Sequence, residues 1–250
     1  MENASQALLI AGGVLIALLV IGLLVWMFTN LSGFQQQEGV QVTSSQIAKF
    51  NNEYGSYAKD DLRGSDLYTL LNKVADYNRR QSSVGTGNTD TGEDINYQPM
   101  TVKFNLAGKA KQFTVDNETP RLLTKNEYVQ DKSTTNTFAE TISTTVTALE
   151  NKYSKDSLNK LVDNVTNIFI DDGREAFQNA AVERFNSLCT KVQITDFNQI
   201  KDGSKIREEV YTYYEYVQFK RAQFKCDNVS YNTKTGRITE MDYSFTGDFE

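Results

Sequence analysis

Carboxylates are the acid–base groups this sequence offers in number, and they come as neighbours: Asp60-Asp61, Glu93-Asp94, Asp171-Asp172 and Glu208-Glu209. Cleavage of a glycosidic bond needs two carboxylates facing each other across a cleft. Adjacency in sequence does not supply that, so these pairs read as solvated charge or helix N-terminal acids. The chain contains no histidine. That removes Ser-His-Asp and Cys-His nucleophilic catalysis, His-ligated zinc and imidazole acid–base steps together. Two cysteines, Cys189 and Cys226, are too few for a four-thiolate zinc or iron–sulfur site. They could form one bridge in an oxidising compartment or stand as two unrelated thiols. Gly85-Thr86-Gly87 lacks a third glycine and a preceding strand, and no Gly-Lys-Ser/Thr occurs, so no phosphate loop is present.

Asn88, Asp90, Glu93 and Asp94 have a spacing loosely like a calcium loop, without its glycine and distal glutamate. No metal, cofactor or enzymatic activity is expected. The sharpest concentration of side chains is Tyr211, Tyr213, Tyr214, Tyr216 and Phe219. On a strand, Tyr211, Tyr213 and Phe219 would face one side and Tyr214 and Tyr216 the other, leaving an aromatic face for a partner or a sugar. Core packing between helices and a sheet edge is the alternative. Lys234-Thr235-Gly236 reads as a hairpin turn.

The elements that would position these residues begin with a membrane span. Leu8 to Phe28 are 21 consecutive apolar or small residues, about 32 Å as a helix against a hydrocarbon core of about 30 Å. Fourteen of them are Leu, Ile, Val or Phe, contributing about −4 to −8 kcal/mol to insertion. Met1 to Ala7 holds no Lys or Arg, and Thr29 to Gly33 is a poor cleavage site, so an uncleaved signal anchor is expected. The first basic residue is Lys49, which favours an extracytoplasmic C-terminal domain. On a helical wheel Ala4, Ala7, Ala11 and Gly22 fall on one face and Gly13 and Ala17 nearly opposite, small-residue stripes suited to helix packing on two sides.

Beyond residues 1–7 (a short tail) and 8–28 (the span), residues 29–80 read as a polar stalk with amphipathic helices. Ile47, Phe50, Tyr54 and Tyr57 have helical spacing, and Gly64-Ser65-Asp66 starts a helix with Leu67, Leu70, Leu71 and Val74 on one stripe. Residues 81–96 form a mobile loop and 97–250 a globular domain. In that domain Met100, Val102, Phe104 and Leu106 alternate as a strand, with Phe113 to Val115 a possible hairpin partner. Helical stripes follow at Phe138–Tyr153, at Leu158–Phe169, and at Ala176, Phe177, Ala180, Phe185 and Leu188. Val210 to Phe224 is β-like in composition, although Val210, Tyr214, Val217 and Phe224 also fit a helix. Val229–Tyr231 and Arg237–Phe245 flank a turn at residues 233–236 and close a C-terminal meander. The fold class is α+β, an N-terminal transmembrane helix followed by helices packed on an antiparallel β-sheet.

The net charge of −6 argues against nonspecific nucleic-acid binding and against an electrostatic hold on anionic lipid. In layout the chain resembles pilins and pseudopilins: a hydrophobic helix starting within ten residues of the terminus, an amphipathic extension through Ile47 to Tyr57, and a C-terminal antiparallel sheet. Cys189 and Cys226 resemble the disulfide-closed loop of some members. It departs from the family in having no Gly-Phe processing site and no Glu five residues into the hydrophobic segment. The resemblance implies a non-enzymatic structural subunit of a surface, filament or secretion assembly. Its partners would be the lipid bilayer, further copies of itself or other assembly subunits. The alternatives are a monomeric anchored domain that binds a ligand or partner, and a viral or phage membrane structural protein.

Overall fold

Val102 and Phe104 are fully buried, while Lys103 between them pairs with Glu240 at the surface, so the expected alternation becomes strand β2 (Thr101–Asn105). The computed structural model describes residues 20–21, 44–84, 99–131, 138–169, 173–233 and 235–249. The chain divides into two units, Met1–Asn52 and Glu53–Glu250. In the first, the described residues are 20–21 and 44–52, all helical.

Within the second unit, β2 pairs on one side with β3 (Glu127–Gln130), antiparallel, and on the other with β5 (Ile238–Phe249), parallel. β5 forms an antiparallel hairpin with β4 (Ala222–Tyr231), whose outer edge pairs with the two-residue β1 (Leu62–Arg63). The order is β1-β4-β5-β2-β3. The sheet is therefore mixed, which corrects the antiparallel expectation: a period of two fixes which residues face the core but not the direction of the neighbouring strand. The expected partner at Phe113–Val115 is instead two 3-10 turns, Ala110–Phe113 and Val115–Asn117, with Asp116 in the left-handed region at φ 50°.

Helices cover the face that carries Phe104. That ring stacks on Tyr128 at 4.7 Å and meets Phe138, Phe219 and Phe224 within 6 Å. The helices that supply these contacts include α2 (Phe138–Tyr153) and α6 (Lys205–Arg221). Helix α1 (Gly64–Val84) packs on both, and α3 (Lys155–Asp163) packs on α2 and α6. Helix α1 runs past Asn78, into the region expected to be loop; residues 85–98 lie outside the described residues. The stripe expected at Leu158–Phe169 is split at Asn164 into α3 and the short α4 (Val165–Ile168). On α5 (Glu175–Leu188) the buried residues are Ala181 and Phe185, while Phe177 is half exposed with Arg174 stacked on it at 4.1 Å.

The β-like segment from Val210 is helix as far as Arg221. Tyr211, Glu215, Phe219 and Ala222 are buried at intervals of three or four. Ser204 caps the helix by accepting the Arg207 N–H, and Lys220 and Arg221 sit in its last turn, where cations are favoured. Repetition of tyrosine raises β propensity, yet tertiary packing and the cap decide otherwise.

The anchor expectation is corrected as well. Among the described residues no helix is long and apolar enough to cross a membrane. Of residues 8–28 only Val20 and Ile21 are described, both helical and exposed. The rest of that run, with the packing positions Ala4, Ala7, Ala11, Gly13, Ala17 and Gly22, lies outside the described residues. An apolar run meets the length condition for a span without fixing how the run is packed. The transmembrane helix, the single-pass signal anchor and the membrane localisation with an extracytoplasmic domain therefore find no support in the structure.

Candidate functional site

The structure disperses most of the residues singled out by type. Tyr211, Tyr213 and Phe219 are buried and Tyr214 and Tyr216 half-buried, so the cluster mostly fills the helix layer and leaves no flat aromatic face. Cys189 is buried on the C-terminal side of α5 and Cys226 half-buried on β4. Both are free thiols, so the possible bridge is not formed. Glu209 accepts from Lys152 Nζ at 2.6 Å and from the Tyr153 hydroxyl, a surface pair turned structural. Residues 88–94 and 171–172 lie outside the described residues. No group of acidic or thiol side chains able to hold a metal occurs among the described residues.

A different set of residues converges where α1, α3 and α6 meet. The approach starts at Gly64, the first residue of α1. A Cβ there would stand 1.7 Å from the carbonyl oxygen of Phe219 and 3.3 Å from the Cα of Lys220. Only glycine allows that contact, and β1 secures it, since Leu62 and Arg63 lie opposite Phe224 and Gln223 just past the end of α6. Arg63 and Ser65 are thereby brought beside Lys220 and Arg221. Helix α3 enters from the other side: Ser154 caps it by accepting the Ser157 N–H, so Lys155 stands in its first turn and Asn159 follows one turn later. Arg221 reaches Asp163 of α3 at 3.9 Å. The Tyr213 hydroxyl donates to Glu150 Oε1 at 3.2 Å and lies 3.5 Å from Asn159 Oδ1.

Between these groups is a pocket of about 410 Å³, within the range of small-molecule sites. Its cations are Arg63, Lys155, Lys220 and Arg221 and its one lining anion is Glu150, an excess of positive charge that Asp163 beside Arg221 offsets in part, in a chain whose net charge is −6. Ser65 places the N-terminal turn of the long helix α1 on the rim, adding a favourable dipole for an anion; Asp66, in the same turn, opposes it. Burial pushes the Tyr216 phenol up to about 12, with Tyr68 and Glu150 adding to the shift, and burial likewise raises Tyr213. Both stay neutral at ordinary pH and can donate hydrogen bonds. Lys220 Nζ lies 5.4 Å from the centre of the Tyr216 ring.

A second depression, about 380 Å³, lies against the N-terminal half of α6. Its charges cancel, Arg121 and Lys205 against Glu208 and Glu209, so it offers no comparable field. The cationic pocket was not visible from sequence because its members span residues 63–221 with no linear motif. The usable signal was the helical phase of α6, which places Tyr213, Tyr216, Val217 and Lys220 on one face.

No protein-family model, no curated protein and no solved structure matches this chain at a significant level. The assembly-subunit expectation drew on the order of elements along the chain and on small residues in the N-terminal run; the latter are outside the described residues.

Proposed function

We propose that this chain is a non-enzymatic binding domain that holds an anionic group of a ligand or partner in the pocket between α1, α3 and α6. The observation that carries the reading is the convergence of Arg63, Lys155, Lys220 and Arg221 on one pocket in an acidic chain. An oxyanion among them is attracted by the excess positive charge of the lining. Guanidinium groups add bidentate geometry for oxyanions. The chemistry of the lining supports binding over turnover: Glu150 is its one carboxylate, and the chain has no histidine to pair with a nucleophile.

Thermal unfolding in sodium phosphate against sodium chloride at matched ionic strength tests this. The wild-type chain is expected to melt higher in phosphate, by ligand linkage, and the Lys220→Gln/Arg221→Gln variant to show the same melting temperature in both salts. An identical phosphate effect in both proteins, or none in the wild type, contradicts the proposal.

A further inference from the structure

The pocket has two chemically different ends. Tyr213, Tyr216, Val217 and Lys220 share one face of α6, and from Tyr213 to Lys220 is about 10 Å along the axis at 1.5 Å per residue. At the Lys220 end stand Arg63, Ser65 and Arg221, joined there by the Gly64–Phe219 approach. At the Tyr213 end stand the Glu150 carboxylate and the Asn159 amide, both within reach of the phenol. The first end carries cations and a hydroxyl, with Asp163 on Arg221 and Asp66 in the first turn of α1 as its nearby acids, and the second carries neutral and acidic hydrogen-bonding groups.

We infer that the occupant is a small phosphomonoester up to about 10 Å long overall, a phosphorylated sugar or polyol, its phosphate among Arg63, Lys220 and Arg221 and its hydroxyls on Glu150, Asn159 and Tyr213. This rests on the anion-binding reading above and adds the ligand class. A phosphate carries about −1.5 to −2 charges and three strong acceptor oxygens at neutral pH, which suits three converging cations better than one carboxylate does. Glu150 is the discriminating residue. It repels a polyanionic chain, such as an acidic peptide, that would run the length of the pocket, whereas it accepts hydrogen bonds from sugar hydroxyls. The volume of about 410 Å³ fits a compact molecule of this kind.

Calorimetric titration of the full chain tests the class, with inorganic phosphate, glucose 6-phosphate, ribose 5-phosphate, glycerol 3-phosphate, glucose and hexaglutamate as probes. At least one phosphorylated polyol is expected to bind about tenfold or more tightly than inorganic phosphate, a gain of about 1.4 kcal/mol, while glucose alone does not bind. Glu150→Ala is expected to remove that advantage, read as the ratio of phosphorylated-polyol to inorganic-phosphate affinity within the variant, with circular dichroism checking that the variant is folded. If phosphate binds and no phosphorylated polyol exceeds it, the ligand class is overturned and the anion-binding reading stands. Hexaglutamate binding more tightly than every phosphorylated probe also overturns the class, in favour of an acidic protein partner. If no anion binds the wild-type chain, both readings fall.

Discussion

Gly64 and Phe219 approach so closely that a Cβ on the glycine would lie 1.7 Å from the phenylalanine's carbonyl oxygen. This contact holds the start of α1 against the last turn of α6, and with it Arg63 and Ser65 against Lys220 and Arg221. The obstacle to a side chain at position 64 is backbone, which cannot swing aside as a flexible side chain would.

Gly64→Ala is therefore expected to cost about 2 kcal/mol or more, at or above the middle of the range for overpacking, and to loosen the pocket. Urea unfolding measures the first effect. A variant as stable as the wild type would show that α1 and α6 can separate without loss.

Glu215 is a buried carboxylate on α6 that accepts the backbone N–H groups of Arg121 at 2.9 Å, Leu122 at 3.0 Å and Leu123. Burial raises its pKa above the usual carboxylate value, and those three donors offset the rise in part. The folded protein thus holds this proton more tightly than the unfolded chain. That contribution to stability is complete below the unfolded value of 4.5 and is lost as pH rises through the raised folded value. Relative to Glu215→Gln, the wild type should gain stability as pH is lowered from neutrality, measured by unfolding at a series of pH values. A difference that does not change with pH would contradict this. Glu215→Ala strands three donors and is expected to cost about 3 kcal/mol or more.

Tyr54, Tyr211 and Tyr216 are pushed up to about 12, in each case chiefly by burial. Neutral phenols in the fold contribute stability that is complete below the ordinary value of 10.0 and lost as pH rises through about 12. Alkaline titration followed at the phenolate absorbance should show exposed tyrosines ionising first and the buried ones only together with loss of the circular dichroism signal. Ionisation of all tyrosines in one step near 10 with structure retained would contradict the packing of α6.

The two thiols should separate by accessibility. Cys226 is half-buried, and burial raises its pKa, whereas Cys189 is fully buried. A thiol reagent is expected to modify Cys226 slowly in the native protein and Cys189 only after denaturation. Equal rates for both, or failure to react after denaturation without reductant, would contradict two free thiols in these positions.

Much of the helical layer was legible. The stripe Phe138, Ile142, Val146, Leu149 and Tyr153 is buried as its spacing requires, and β4 and β5 pair as an antiparallel hairpin. Strand direction was not, since β2 meets β5 only after a long excursion that includes helices α2 to α6, and alternation is the same for parallel and antiparallel neighbours. β3 was missed because four residues with the burial alternation of Tyr128 and Gln130 carry too little pattern to stand out. The tyrosine-rich segment misled because composition suggested a strand while its cap, its last-turn cations and its four-residue burial interval made a helix. The pocket was illegible for a different reason: Arg63 and Lys220 are adjacent through Gly64, whose role depends on a carbonyl 155 positions away in the chain.

Amide chemical-shift mapping during titration with inorganic phosphate tests the central claim most directly. The account predicts saturable shifts concentrated at Ser65, Asp66, Lys220 and Arg221, absent with chloride at matched ionic strength and lost in Lys220→Gln/Arg221→Gln. Shifts scattered over the surface lysines, or confined to another part of the fold, would contradict it.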